Sequence, residues 1–506
     1  MSEIAPAVEK LSEAEERFER GRKLVGTILA PIVFIVLLKL PMPGLKFEAH
    51  RLAAVMATVI VLWLTEALPM PVTALLGAAA CVLLRVAPAK EVFAPFADPL
   101  IFLFIGGFIL ARAIFLYGLD RRFAFAVLSI RGIGAKPARV MFAFGAVTAF
   151  ISGWVSNTAT TAMMFAIGLS ILNVLFEQEK RGVPRINRSY ATGLMLMTSF
   201  AASIGGLATP VGTAPNVIGL GMIRDTLHVQ ISFLKWCVIG VPIVIVLYLW
   251  LGTYLNYFCR AGVTVIAGGE EMVRAERARL AKWSTGEIST LVAFGLTVIL
   301  WVLPGMIALA YGEQSPTTKM VNAVLPEGVV AVVGALLLFV LPGAYDGRAI
   351  NWSQAVQIDW GVVLLYGGGL TLGVLSFNTK LAEAVGEGLT GLLPIHGSST
   401  LMLIAACLVA VIVSETTSNT ASATMVVPVV IALAKGAGVD PLEPALGATM
   451  AASLGFMLPV STPCNAIVYG SGYIPLGKMV KYGFLLDVVG VVVVVVMVKL
   501  LVPLVR

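Results

Sequence analysis

The chain has 506 residues, 58% of them hydrophobic and only 12% charged, with a formal net charge of +7. Soluble domains carry about 25% charged residues, so this composition excludes a soluble globular protein and points to a polytopic α-helical membrane protein. Membrane proteins collect Lys and Arg in cytoplasmic loops, so the positive charge implies no nucleic-acid partner.

In chain order, residues 1–23 are polar and mixed in charge and show no cleavable signal pattern. They read as a cytoplasmic N-terminal segment. Apolar runs suited to spans follow at Leu24–Leu40, Leu52–Leu64, Val72–Leu84, Leu100–Leu116, Val140–Val155 and Val238–Leu251. Four polar or glycine-bearing elements punctuate this half: "LPMPVTALLGA" (68–78), "DPLIFLFIGGF" (98–108), "SGWVSNTATT" (152–161) and "ATPVGTAPN" (208–216). Beyond a basic stretch, Arg260–Lys282, the second half carries apolar runs at Leu291–Leu303, Val329–Leu341, Leu401–Val413 and Val488–Leu504. It also repeats the four elements in order: "LPEGVVAVVGA" (325–335), "DWGVVLLYGGG" (359–369), "SETTSNTASA" (414–423) and "MLPVSTPCN" (457–465). Asn157 recurs as Asn419, 262 residues on, and the other pairs lie 249 to 261 residues apart. The chain reads as a duplication.

Charge sets the relation of the halves. Arg121, Arg122, Arg131, Lys136 and Arg139 follow the first Gly-Gly element, whereas Lys380, Glu383, Glu387 and His396 follow the second. The positive-inside rule then places the first segment in the cytoplasm and the second outside, giving inverted repeats. The expected divisions are residues 24–260 (first inverted repeat with leading spans), 261–285 (cytoplasmic linker) and 286–506 (second inverted repeat). The expected fold is all-α, with broken helices and two re-entrant hairpins. The hairpins are expected at the two Gly-Gly elements, and the helix breaks at the two Ser-Asn-Thr elements and, through Pro and Gly, at "PVGTAPN" and "PVSTPCN". Asp98 and Asp359 are expected as N-caps. Glu66 and Glu415 are expected at an interface or helix end rather than as proton carriers.

A helix broken in hydrocarbon frees carbonyls and N–H groups that need partners. Carbonyls together with Ser, Thr and Asn oxygens are hard, neutral ligands suited to Na+. The half-helix starting after a break offers N–H groups to an anion. The residues therefore point to one cation site at Ser152, Ser156, Asn157 and Gly212, and by repeat symmetry a second at Ser414, Ser418, Asn419 and Ser461. An anion pocket between them would be lined by Asn157, Thr158, Thr213, Asn419, Thr420, Thr462 and Pro463. That pocket holds no Lys or Arg, so bound Na+ would supply the counter-charge for a dianion. The five Cys (81, 237, 259, 407, 464) and three His show no metal-binding spacing, and no nucleophile elbow, phosphate-cradling loop or HExxH motif is present. An enzyme is not expected.

The "SNT" triplets at 156–158 and 418–420, "GTAPN" at 212–216, "STPCN" at 461–465 and "LTEALPMPVTALL" at 64–76 resemble the divalent anion/Na+ symporter family. The resemblance covers nearly the whole chain beyond Lys23. It implies a homodimer in the inner membrane with a cytoplasmic N-terminus, each protomer having eleven spans, two opposed re-entrant hairpins, and scaffold and transport domains interleaved through both repeats. It implies an elevator mechanism, no cofactor, and Na+ as coupling ion. It places the first Na+ on Ser152, Ser156, Asn157 and Gly212, the second on Ser414, Thr417, Asn419 and Ser461, and the substrate carboxylates on the seven pocket residues above. The expected function is Na+-coupled uptake of C4 dicarboxylates such as succinate, malate or fumarate, with Na+-independent di- or tricarboxylate exchange as the alternative. A channel or a Na+/H+ antiporter would instead call for buried Asp pairs at the breaks.

Overall fold

The computed structural model describes residues 13–180, 187–265, 269–390 and 398–505. Residues 1–12, the basic stretch 181–186 and His396 lie outside the described residues. The fold is the expected all-α membrane architecture of two inverted repeats. Ten described helices are long and apolar enough to cross a membrane, or eleven if the bent pair Pro316–Val324 and Glu327–Val340, at 48° to each other, counts as one span.

One helix, α1 (Glu13–Lys39), precedes the repeats. The first repeat comprises α2 (Phe47–Thr65), α3 (Met70–Leu83), the short α4 (Ala89–Phe93), α5 (Pro99–Leu116), α6 (Leu119–Leu128), α7 (Pro137–Ser152), α8 (Asn157–Lys180), α9 (Arg188–Gly205), α10 (Ala214–Leu227) and α11 (Phe233–Phe258). A linker helix, α12 (Gly269–Ala278), follows. The second repeat comprises α13 (Thr285–Tyr311), α14 (Pro316–Val324), α15 (Glu327–Val340), α16 (Trp352–Ala355), α17 (Trp360–Asn378), α18 (Leu381–Thr390), α19 (Ser399–Thr416), α20 (Asn419–Gly436), α21 (Leu442–Ala451), α22 (Pro463–Tyr469) and α23 (Leu476–Val505). One short strand, Pro342–Tyr345, is the sole extended element among the described residues.

The two halves exchange equivalent helices. α5 packs on α15 of the other half, and its counterpart α17 packs on α3. Both crossings rest on the Gly-Gly elements. A Cβ added to Gly106 would lie 2.4 Å from the Ala331 carbonyl carbon, and one on Gly368 would lie 3.0 Å from the Ala74 backbone. Small residues let helix backbones approach where lipid offers no hydrophobic drive. That is why glycine sits here, and it corrects the expected location of the hairpins. The Gly-Gly elements lie within continuous helices, and the helices that follow them, α6 and α18, have only 10 residues each.

The two hairpins are instead built around the Ser-Asn-Thr elements. α8 folds back along α7, so that a Cβ on Gly168 would lie 3.4 Å from the Phe144 ring. α20 folds back along α19, where the Ser422 hydroxyl donates to the Ala410 carbonyl at 2.7 Å. The helix breaks fall at the second polar elements, between α9 and α10 and between α21 and α22. Hairpins and broken helices are both present: the breaks at "PVGTAPN" and "PVSTPCN" are as expected, while the hairpins lie at the Ser-Asn-Thr elements and not at the Gly-Gly elements. Apolar flanks and a short polar interruption do not distinguish a helix that bends back from one that resumes forward.

Helix starts follow ordinary capping chemistry. Asp98 accepts from Leu100 N at 2.8 Å and Asp359 from Val362 N at 3.2 Å, as expected. Ser284 and Glu287 form a reciprocal capping box at the start of α13. Replacing Gly106 with Leu should separate α5 from α15 and cost about 1–3 kcal/mol. Gly295→Leu, where an added Cβ meets nothing within 4 Å, should leave the melting temperature of the detergent-solubilised protein unchanged.

Candidate functional site

Each hairpin tip carries the same side-chain pair. Ser152 Oγ donates to Asn157 Oδ1 at 2.8 Å, and Ser414 Oγ donates to Asn419 Oδ1 at 2.8 Å. Ser156 and Ser418 cap the second arms, accepting from Ala159 N at 3.4 Å and Ala421 N at 3.2 Å. Thr417 donates to Val413 O at 2.7 Å, closing the last turn of α19.

A broken helix lies against each tip. Between α9 and α10, Pro210 and Gly212 interrupt the chain, and freed carbonyls must be satisfied inside the protein. Asn216 does this: its Nδ2 donates to Gly206 O at 2.9 Å and Thr209 O at 2.8 Å. Its counterpart Asn465 donates to Gly455 O and Leu458 O, each at 3.0 Å. The two clasps occupy the same places in the two repeats. The last residues of "GTAPN" and "STPCN" therefore hold the breaks in shape, a role the sequence did not assign.

Glycines bring break and tip into contact. An added Cβ on Gly206 would lie 2.3 Å from Asn157 Oδ1, and one on Gly212 2.5 Å from Gly206 O. In the second repeat, a Cβ on Gly455 would lie 3.1 Å from Ser414 Oγ and 3.2 Å from Asn419 Oδ1. Thr209 also donates to Gly153 O at 2.5 Å, and Ser414 to Ala452 O at 2.7 Å. Hydroxyl, amide and carbonyl oxygens thus crowd each junction. This donor set fits a small hard cation.

The expected residues separate by burial. Ser152, Gly212, Ser414, Thr417 and Ser461 are buried, while Ser156, Ser418, Asn157 and Asn419 are half-buried. Thr158 and Pro463 are exposed, Thr213 and Thr420 are half-buried, and Thr462 is buried with its hydroxyl accepting from Asn465 N at 3.1 Å. The inner oxygens line the junctions, and the outer residues start α8, α10, α20 and α22. The two halves also touch here. Ser199 Oγ donates to Asn465 Oδ1 at 2.6 Å, and Cys464 faces Thr158, Thr161 and Ser203.

Ser461 is placed differently from Gly212. Its hydroxyl donates to Glu415 O at 3.1 Å and to Glu415 Oε2 at 2.6 Å. Glu415 is only 3% exposed and lies in the last turn of α19, at a helix end as expected. Glu66 also sits at a helix end, capping α2 and pairing with Arg22 at 2.9 Å. Arg22 in turn donates to Thr416 O at 3.3 Å, bracing the second tip. Sequence gave no signal for that contact, because Arg22 and Thr416 are 394 residues apart.

A family model described as the sodium:sulfate symporter transmembrane region matches residues 22–505. The chain belongs to the sodium:sulfate symporter family. Like that family, it is a transporter and not an enzyme. Among curated members, a sodium-dependent dicarboxylate transporter of Staphylococcus saprophyticus is 34% identical over 95% of this chain and 92% of its own length. A Staphylococcus aureus transporter with the same name is 32% identical over 98% of this chain and 94% of its own. Two solved structures share the fold: the Alcanivorax borkumensis YdaH transporter (TM-score 0.54, 13% identity, 96% of this chain and 98% of that one) and Neisseria gonorrhoeae MtrF (TM-score 0.56, 11% identity, 93% and 97%).

The clasps give a direct test in this transporter. Asn465→Ala strands two buried carbonyls and should cost about 2 kcal/mol or more of stability. Differential scanning fluorimetry should show a lower melting temperature, and a smaller upward shift on adding Na+.

Proposed function

We propose that the protein is a secondary active transporter for Na+-coupled uptake of C4 dicarboxylates such as succinate, malate and fumarate. The observation that carries this reading is the duplicated junction. Each hairpin tip presents a Ser–Asn oxygen pair to glycine-exposed backbone of a broken helix, with the N-termini of α8, α10, α20 and α22 on the outer side. Ser152, Ser156, Asn157 and Gly212 hold one Na+; Ser414, Thr417, Asn419 and Ser461 hold the other, with Ser418 as the tip's cap. Asn157, Thr158, Thr213, Asn419, Thr420, Thr462 and Pro463 receive the carboxylates. A dianion on neutral groups in low dielectric needs compensation. Two Na+ ions supply it, and each ligand then raises the other's affinity by the same factor. The names of the staphylococcal relatives support a dicarboxylate and Na+.

The protein works in the inner membrane with its N-terminus and the linker 261–285 cytoplasmic. Supporting this, two basic segments lie on one side: Arg122 donates to Glu287 Oε1 at 2.7 Å and to Ala281 O at 2.9 Å, and Arg277 to Ser129 Oγ at 2.8 Å. Homodimerisation and elevator movement of a transport domain against a scaffold, both interleaved through residues 24–260 and 286–506, rest on the family resemblance.

In proteoliposomes, an inward Na+ gradient should accumulate succinate with no internal anion. Uptake only against internal di- or tricarboxylate would establish the exchanger instead, and sulfate uptake without succinate uptake would overturn the substrate class. Asn157→Ala and Asn419→Ala should each abolish uptake, at least a hundredfold loss (about 2.7 kcal/mol), in protein that elutes as a folded species. Near-normal rates in both would overturn the site.

A further inference from the structure

We propose that Glu415 and Asp487 together form a third Na+ site, distinct from the two hairpin-tip sites and belonging to the second repeat alone. The proposal rests on the Na+-coupled reading above. Both side chains are only 3% exposed, so neither charge is met by water. They are treated very differently by the protein. Glu415 accepts from Met457 N at 2.8 Å, Leu458 N at 3.2 Å and Ser461 Oγ at 2.6 Å. Those three donors accommodate a carboxylate. No N–H or hydroxyl donor among the described residues makes a well-formed hydrogen bond to either oxygen of Asp487. Its carboxyl faces that of Glu415, with the Phe456 backbone beside it. No Lys or Arg among the described residues pairs with either acid. Two facing carboxyl groups out of water repel strongly unless a cation, or a proton held by one of them, lies between them. Carboxylate oxygens are hard donors, and a small hard cation is what they bind.

The first repeat shows that the pair is an addition rather than part of the fold. Gly240 in α11 and Gly483 in α23 are structural counterparts. An added Cβ would lie 2.4 Å from Leu207 O in one case and 2.3 Å from Phe456 O in the other. One helical turn further along, the first repeat has Val244 where the second has Asp487. At the hairpin tip it has Gly153 where the second has Glu415. Both acids are therefore missing together from the first repeat, although its break, clasp and tip are otherwise built alike.

The site is wired to the second tip site through Ser461, whose hydroxyl binds both Glu415 oxygens named above, and through the Met457 and Leu458 amides of the break. A cation between the acids relieves their repulsion and lets Glu415 hold the break in place. Its departure pushes Asp487 and Glu415 apart and loosens the loop that carries Ser461 and Thr462. Filling this site thus favours filling the second tip site, and the reverse follows by linkage.

The test is a count of Na+ bound and carried. Radioactive Na+ binding to purified full-length protein, without any anion, should give one fewer Na+ per chain in Asp487→Asn than in the parent. The double variant Asn157→Ala/Asn419→Ala should retain the ion that Asp487→Asn loses. In proteoliposomes, Asp487→Asn should carry one fewer Na+ per succinate, and Asp487→Glu should restore the parent count. An unchanged count in Asp487→Asn overturns the proposal. So does an infrared band of a protonated carboxyl that disappears in Asp487→Asn and does not respond to Na+, because the pair then holds a resident proton. If Asp487→Asn fails to fold, the double variant decides: no residual Na+ binding overturns the site. Because the binding count needs no anion, it stands even if succinate proves not to be carried.

Discussion

A membrane interior supplies no water to the backbone, and every interruption of a helix there must be satisfied by the protein itself. The structure depends on that constraint. Two breaks and two tips are placed where each completes the other. Asn216 and Asn465 take up the carbonyls freed at the breaks, and the remaining oxygens turn toward the tips. The Ser–Asn pairs of the tips are themselves hydrogen-bonded within the protein. The proposed site is thus drawn from an inventory of oxygens that the fold has already placed.

Duplication gives that inventory its form. The Ser–Asn pairs at the tips have the same 2.8 Å separation in both halves, and the glycine contacts recur at equivalent places. The halves also differ in informative ways. Gly212 is replaced by Ser461, Gly153 by Glu415 and Val244 by Asp487. These substitutions concentrate polarity around the second tip, while the first remains a site of neutral oxygens. A repeat protein can thus keep one scaffold and vary the polar chemistry of each half.

Glycine performs two unrelated tasks in the same chain. In α5 and α17 it permits close helix crossing, with Gly106 against Ala331 and Gly368 against Ala74. At Gly206, Gly212 and Gly455 it exposes backbone to the site. Sequence context alone does not separate these uses, since both occur in apolar surroundings beside polar residues. The expectation of re-entrant turns at the Gly-Gly elements failed for this reason, and the hairpin turns fell at Ser-Asn-Thr instead.

The sequence by itself determined the membrane class, the duplication, the helix starts at Asp98 and Asp359, and the grouping of Ser152, Asn157, Ser414 and Asn419. Each of these depends on local composition, spacing or capping, which the linear chain displays directly. Only the tertiary structure decided which polar elements turn back and which resume forward, because that choice is made by the packing of α8 on α7 and of α20 on α19. It alone revealed the Asn clasps, the Arg22 brace at the second tip and the meeting of Glu415 with Asp487. Those contacts join residues far apart in the chain, and an isolated acid in an apolar run carries no sign of its partner until the helices are folded together.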